Sequence, residues 1–249
     1  MIEFPFIILG FLVGTIVGLT GIGGGVLMTP LLIFLGVEPL IAVGTDLLYA
    51  TATKGLSSYL HNKKGNVDKK IALKLFFGTF PAVLLGGLIL RMINRDIINN
   101  FLTAMLAVIL ILTSLINLKK EFFIFKKKVN SSYILVFFGF VVGLVVQFTS
   151  VGSGVLITFA LMNFTDLSPK CIVGTSLFYG LLLTFVSSLN YIDLGLVNYF
   201  LVLSLIVGTI PGVFLGVYLN YKLHPKYLRK LISIMILFFG VYLLFNVLK

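Results

Sequence analysis

The chain has 249 residues, of which 59% are hydrophobic and 11% are charged, and its mean hydropathy is +1.14. Soluble domains carry about a quarter charged residues, so this composition excludes an ordinary soluble enzyme or binding module. The net charge of +11 does not indicate a nucleic-acid partner, because the Lys and Arg residues lie between long apolar segments, where such residues orient a chain across a bilayer.

The apolar segments have the length of membrane-spanning helices, which need roughly 20 residues each. The first is predicted from Phe4 to Leu19, and we expect it to be retained because no basic signal-peptide start precedes it. The GIGGG sequence at Gly21–Gly25 interrupts it, since glycine in such density disfavours a continuous helix, and a shorter apolar arm follows to Gly36. Three longer helices are predicted next: Pro39–Leu60, Ile71–Leu90 and Ile97–Leu118.

The second half of the chain follows a basic linker at 119–129 and has the same order of elements. Its first helix is interrupted by SVGSG, at Ser150–Gly154, and a short apolar arm follows again. The helices predicted in this half are Tyr133–Phe148, Val155–Phe164, Pro169–Leu189, Val197–Leu219 and Tyr227–Val247.

The two halves are copies of one unit. The stretch GFLVGTIVGLTGIGGGVLMTP from Gly10 matches GFVVGLVVQFTSVGSGVLITF from Gly139. At a nearly constant spacing, VGTDLLY then matches VGTSLFY, and GTFPAVLLG matches GTIPGVFLG. A shared preference for Leu and Val does not align so many Gly, Pro and Thr positions, so an internal repeat is indicated. We predict an all-α membrane protein with repeat 1 at 1–118, a cytoplasmic linker at 119–129 and repeat 2 at 130–249.

The distribution of basic residues indicates how often the chain crosses the membrane. If each broken element crosses once, the Lys and Arg residues divide almost evenly between the two sides. If each is a re-entrant hairpin, nearly all of them fall on one side, as cytoplasmic loops require. Each repeat is then a hairpin plus three transmembrane helices, the two repeats are inverted, and both termini face away from the cytoplasm. Inverted repeats with interrupted helices are typical of secondary transporters, whose substrate site lies near the bilayer midplane.

These motifs resemble the TauE/SafE sulfite-exporter family, also called TSUP. The resemblance rests on GIGGG with its short arm, VGTD, GTFPAVLLGG, and the second copy's SVGSG, VGTS and GTIPG, and it covers essentially the whole chain. It implies a multi-pass carrier in the cytoplasmic membrane for small sulfur-containing anions such as sulfite, thiosulfate and sulfonates. The second tip reads GSG where the first reads GGG, and Ser176 stands where the first copy has Asp46.

The two glycine-rich breaks are the candidate substrate site. A helix that starts after such a break presents free N–H groups and its positive dipole end to the tip, which suits a sulfite or sulfonate oxygen cluster. Tight packing of small residues is the alternative reading. The candidate substrate-binding residues at and around the tips are Gly23, Gly24, Gly25, Thr29, Thr149, Ser150, Gly152, Ser153, Gly154, Thr158 and Ser176.

Two charged residues within the third predicted helix complete this set. Asp46 lies at membrane depth, where acidic groups are usually functional; it could carry coupling protons, line the site or cap a facing helix end. Lys54, two turns further on, could pair with an anion or extend its side chain to the interface. For three polar positions near helix ends, interhelical bonding and substrate contact both stay open: Gln147, Asn163 and Asn190.

The resulting hypothesis is a secondary transporter of small sulfur-containing anions that works by alternating access, driven by the membrane potential or a proton gradient. A cation- or proton-coupled carrier of another solute that uses Asp46, and an anion channel, stay open as alternatives. An intramembrane enzyme is not expected, because His61 and His224 are predicted in loops and no catalytic or metal-binding cluster occurs. The single Cys171 excludes an intramolecular disulfide and a Cys-based metal site. Neither a cofactor nor a bound metal is expected, and no nucleotide-binding G-x-x-x-x-G-K-[ST] motif occurs.

Overall fold

A computed structural model describes residues 4–20, 25–118, 132–220 and 225–247. It is 89% helical, and no strand occurs within these ranges. The glycines at positions 23 and 24 and the linker at 119–129 lie outside the described residues. The helices are α1 Phe4–Thr20, α2 Gly25–Phe34, α3 Pro39–Lys63, α4 Lys69–Met92, α5 Arg95–Leu118, α6 Ser132–Thr149, α7 Ser153–Phe164, α8 Pro169–Asp193, α9 Tyr199–Asn220 and α10 Pro225–Val247.

These helices confirm the predicted elements to within a few residues. Local capping fixes several of the boundaries: the Asp68 carboxylate accepts from the Ile71 amide at the start of α4, and the Ser168 hydroxyl accepts from the Cys171 amide at the start of α8. Helix α3 runs to Lys63, beyond the predicted end. His61, which was expected in a loop, therefore lies in its last turn.

Among the residues that the structure describes, five helices are long and apolar enough to cross a bilayer: 69–92, 95–115, 132–149, 169–193 and 199–216. Large apolar side chains point outward from them; Phe77 on α4 is 74% exposed and Phe214 on α9 is 75% exposed. Such a surface is stable against lipid and not against water. The protein is a multi-pass membrane protein.

The closest helix contacts join the two halves of the chain. Helix α1 packs along α9, and α4 packs along α6. A Cβ atom added to Gly208 would lie 1.9 Å from the Ile7 carbonyl oxygen, and one added to Gly78 would lie 1.8 Å from that of Val136. Glycine is therefore the only residue that permits these backbone approaches, as is common where membrane helices associate closely.

Two matching hydrogen-bond chains fix the central helices to these pairs. The Tyr49 hydroxyl on α3 bonds to Thr209 on α9 at 2.8 Å, and Thr209 donates to the Gly10 carbonyl of α1. On the other side, Tyr179 of α8 bonds to Thr79 of α4 at 2.6 Å, and Thr79 donates to the carbonyl of Gly139 in α6. Each chain of bonds ties three helices together in the interior.

Two further helix pairs join the halves of the chain: α3 packs against α8, and α5 packs against α10. Gly44 contacts Tyr191, and the Lys54 side chain contacts Gly180. Residue numbers rise on α3 as they fall on α8, so these two helices run in opposite directions. The order of contacts also shows that α1 runs parallel to α9, since Gly10 meets Leu205 and Gly14 meets Thr209.

The close contact at Gly78 predicts a large difference between two glycine-to-alanine substitutions. Gly78→Ala should lower the apparent unfolding temperature in detergent, because overpacking costs roughly 1–3 kcal/mol or more. Gly55→Ala is the control: its added carbon meets only Leu181 at 3.8 Å, so alanine's higher helix propensity should leave the temperature unchanged or raised. Equal unfolding temperatures for the two variants would contradict the packing of α4 on α6.

Candidate functional site

The second tip is a short buried turn between α6 and α7. Helix α6 ends at Thr149, Ser150 has φ 58°, and Gly152 has φ 99°. Both values lie in the left-handed region, where glycine is favoured and serine is strained. Helix α7 begins at Ser153, slightly earlier than predicted, and Ser150, Val151 and Ser153 are buried.

The N-terminus of α7 faces this turn without a side-chain cap. Its first amide groups, including those of Ser153 and Gly154, have no carbonyl partner within the helix. The Thr149 hydroxyl bonds instead to the Val145 carbonyl and to the backbone of Val151. The tip thus presents free N–H donors and a positive dipole end in a buried setting.

The Lys54 ammonium lies at this tip. It donates to the Ser153 hydroxyl at 2.9 Å, and its carbon chain lies against Gly180 of α8. Lys54 is three residues beyond the midpoint of α3, roughly 4.5 Å by helix rise. The side chain therefore lies near the middle of the helix and does not extend to the interface at His61.

Asp46 joins the first half of the chain to the same tip. Its side chain is fully buried, and one carboxylate oxygen accepts a hydrogen bond from Thr29 of α2 at 2.5 Å. Its other oxygen, Oδ1, has no partner in hydrogen-bond geometry, and the Ser150 hydroxyl lies close enough to the carboxylate to interact with it. Lys54 is close enough to act on Asp46 electrostatically.

Gln147, three residues before Ser150 on α6, is a further buried polar residue, and its side chain lies against Gly86 of α4. It is fully buried on α6, and neither its amide oxygen nor its amide nitrogen has a partner. Asn163 and Asn190 differ, because they donate to the carbonyls of Phe159 and Val83. The three amides look alike in the sequence, and only the packing distinguishes Gln147.

The other predicted residues have different surroundings. Gly25 is the first residue of α2. The Ser176 hydroxyl bonds to the Val173 carbonyl within its own helix, and Thr158 lies half-buried on α7. Within the described ranges, no group of three His, Cys, Asp or Glu residues could hold a metal ion. The structure therefore assembles one polar cluster, formed by Thr29, Asp46, Lys54, Ser150 and Ser153.

Comparisons with known proteins give a consistent result. Residues 6–243 match the sequence model of a family described as sulfite exporter TauE/SafE. The probable membrane transporter protein YjnA of Bacillus subtilis is 32% identical, over 96% of this chain and 98% of that protein. YunE, also a probable membrane transporter protein of B. subtilis, is 29% identical over 96% of each chain. MJ0441 of Methanocaldococcus jannaschii, with the same description, is 27% identical over 98% of each. No solved structure matches the chain significantly.

The geometry predicts energetic coupling between Asp46 and Lys54. In a double-mutant cycle of Asp46→Asn and Lys54→Met, followed by unfolding in detergent, we expect a coupling energy of about 1 kcal/mol or more, because both charges lie inside the protein. The control cycle removes Arg91 and Asp193, an exposed ion pair. Exposed pairs are worth roughly 0–1 kcal/mol, so a larger coupling for the control pair would contradict the assignment.

Proposed function

The chain belongs to the sulfite exporter TauE/SafE family of membrane transporters, and from this premise we propose that it is a secondary transporter of small sulfur-containing anions. The observation that carries the proposal is the pairing of Lys54 with the uncapped N-terminus of α7 at a buried tip. A helix N-terminus and an ammonium together provide several convergent N–H donors, which match the oxygen cluster of a sulfite or sulfonate group.

We further propose that the tip is the turn of a re-entrant hairpin. Helix α1 runs parallel to α9, and α9 runs parallel to α3, since Asn198 bonds to Thr45 and Thr209 bonds to Tyr49. Two parallel helices in sequence require the short α2 between them to return to the side from which α1 started.

The same reasoning applies to α6, α7 and α8. Helix α6 runs parallel to α4, since Gly139 meets Leu75 and Gly143 meets Thr79. Helix α8 also runs parallel to α4, since Tyr179 bonds to Thr79 and Asn190 bonds to the Val83 carbonyl.

The same helix directions support two inverted repeats at 1–118 and 130–249, joined by the linker at 119–129. Helices α3 and α8 hold equivalent places in the two copies and run in opposite directions. Helices α5 and α10 do so as well, since Ser114 bonds to Ser233 while Gly240 contacts Ala107. With Lys63, Lys64 and the linker lysines on the cytoplasmic side, both termini face away from the cytoplasm.

The way the helices are grouped supports an alternating-access mechanism. Helices α1, α3 and α9 form one hydrogen-bonded group, and α4, α6 and α8 form the other. The Lys54 contact with Ser153 joins α3 of the first group to α7, which directly follows α6 of the second group. Rocking of one group against the other, driven by the membrane potential or a proton gradient, would expose the tip first to one side of the membrane and then to the other.

A cation- or proton-coupled carrier is a second candidate, and one observation favours it. The Asp46 carboxylate is buried in the membrane region and leaves one oxygen without a partner. Such a carboxylate can bind a proton or a cation during the transport cycle. In that case Asp46→Asn abolishes cation uptake, whereas an anion carrier would keep passive anion exchange.

The transport hypothesis predicts saturable counterflow of sulfur oxyanions in proteoliposomes. Vesicles preloaded with sulfite or a sulfonate should accumulate the labelled anion from outside, while acetate and sodium chloride should support no exchange. Lys54→Met should reduce exchange at least about tenfold, because a charged hydrogen bond to the anion is lost, worth roughly 1.5–3 kcal/mol.

The matched control is Lys74→Met. The Lys74 ammonium bonds to Ser132 in an exposed position, so its removal should leave exchange unchanged. Equal loss in both variants, or exchange of acetate at the same rate, would reject the proposed site. Conduction without saturation would instead indicate a channel.

The proposed topology predicts which loops are accessible from each side. In a Cys171→Ser background, Lys64→Cys should react with a membrane-impermeant thiol reagent only after the cells are opened. Gly195→Cys, in the loop after α8, should react in intact cells. Labelling of both positions from the same side would contradict the inverted hairpin arrangement, because the two loops lie at opposite ends of the antiparallel α3 and α8.

A further inference from the structure

The interior face of α3 changes from apolar to polar along the helix. Val43 and Leu47 lie on this face in the first half of the helix, and both are buried. Lys54, Ser57 and His61 continue the same face at intervals of three and four residues, as far as the last turn. We call these three residues the α3 strip.

The α3 strip does not lie on the lipid-facing side of the helix. That side carries Leu56 and Leu60, which are both more than half exposed, as suits side chains in contact with lipid. Lys54, Ser57 and His61 lie on the other side, toward the interior, and yet each of them is only half-buried. The interior of the protein is therefore accessible along this half of α3.

The second copy of the repeat has the corresponding strip on α8. The residues at the equivalent positions are Thr184, Ser187 and Tyr191, which we call the α8 strip, and all three are fully buried. Because α3 and α8 run in opposite directions, the two strips lead from the middle of the helices toward opposite sides of the membrane. One strip is accessible and the other is closed.

Two equivalent valines differ in the same way. Val43 of α3, on the side of the α8 strip, is 1% exposed, whereas Val173 of α8, on the side of the α3 strip, is 41% exposed. Equivalent positions of two inverted copies lie on opposite sides of the membrane. The difference therefore indicates that the protein is open on the side of the α3 strip, which is the side of Lys63 and Lys64.

Tyr191 closes the opposite side. Its ring packs so closely on Gly44 of α3 that an added Cβ atom there would lie 2.7 Å from it. Its hydroxyl donates to the backbone carbonyl of Gln147 at 2.9 Å. Tyr191 thereby joins α8 to both α3 and α6.

Each strip also has a polar atom whose hydrogen bonding the protein leaves incomplete. Nδ1 of His61 and Oγ of Ser187 are both buried and have no hydrogen-bond partner. Such atoms are uncommon in a packed interior, and water or a passing anion satisfies them when the path beside them is open. Their presence on both strips favours walls of a path over tight packing.

We infer that the α3 strip lines the path by which the anion reaches Lys54 from the cytoplasm, and that His61 binds the anion at the outer end of this path. The α8 strip lines the matching path on the other side, which Tyr191 closes. Lys54 and His61 are separated by roughly 10 Å of helix rise, so an anion passes from one hydrogen-bond donor to the next. This inference rests on the proposed function and adds an access route and a further substrate-binding residue to it.

Thiol labelling tests the path without a substrate. In a Cys171→Ser background, Ser57→Cys should react with the charged reagent 2-sulfonatoethyl methanethiosulfonate in inside-out membrane vesicles, whose cytoplasmic face is outward. Leu56→Cys is the matched control at nearly the same depth. It should react at least about tenfold more slowly, because the thiolate is the reactive form and does not persist in an apolar environment. Equal rates, or no reaction of Ser57→Cys, would contradict an open path.

Ser187→Cys tests the closed half. In right-side-out vesicles it should react at least about tenfold more slowly than Ser57→Cys reacts in inside-out vesicles, because a buried thiol is inert. Similar rates for the two variants would contradict closure by Tyr191.

Sulfite exchange tests His61 as an anion contact. In oriented vesicles, His61→Leu should raise the half-saturation concentration at the cytoplasmic face at least about threefold, because a hydrogen bond to the anion is lost. The value at the opposite face should change less. His61→Asn keeps an amide donor near the place of Nδ1 and should restore most of the original value. Asn62→Leu, at an exposed neighbouring position, is the control and should leave both values unchanged.

The outcomes separate this inference from the proposed function. Normal sulfite exchange with an unreactive Ser57→Cys, or with an unchanged half-saturation concentration in His61→Leu, would overturn the inference alone. Equal losses at both faces in His61→Leu, without recovery in His61→Asn, would show a structural role and overturn the anion contact. Absence of saturable sulfite exchange in the unmodified protein would overturn the proposed function, while the labelling of Ser57→Cys and Leu56→Cys would still decide whether the path exists.

Discussion

Direct backbone contact between helices of the two halves is the constraint on which the rest of the structure depends. In lipid, helices gain little from burying apolar side chains against each other, so close packing and interhelical hydrogen bonds hold them together. Glycines such as Gly78 and Gly208 allow α4 to touch α6 and α1 to touch α9. This contact positions α6, and the Tyr179–Thr79 bond then positions α8. The tip at the end of α6 is thereby brought against α3, which carries Asp46 and Lys54.

The distribution of hydrogen bonds differs between the second tip and the rest of the interior. Away from the tip, hydroxyl groups such as those of Thr51 and Thr184 bond to carbonyls of their own helix, and Asn190 bonds to α4. These bonds satisfy buried groups that the bilayer cannot hydrate. At and beside the second tip, Asp46 and Gln147 keep atoms without a hydrogen-bond partner although they are buried.

Much of the candidate site could be predicted from the residues alone. Asp46, Lys54, Ser150 and Ser153 were selected because charge and glycine-rich breaks are costly at membrane depth, and the structure brings them together. Gln147 was left open, because an amide near a helix end has the same sequence pattern whether or not it finds a partner. Its replacement of Gly18 in the repeat alignment was the available signal. Ser176, selected by its equivalence to Asp46, bonds within its own helix.

The sequence by itself determined the helices, their boundaries within a few residues, the membrane environment and the family. Each of these follows from local properties: apolar length, caps, glycine breaks and motif order. The tertiary structure alone decided that α1 packs on α9, that α6 packs on α4, and that Lys54 reaches Ser153. Such contacts join residues 60 to 199 positions apart, and many glycines and apolar faces of these helices could serve equally well. Which of them meet depends on the packing of the whole bundle, a property that no single segment contains.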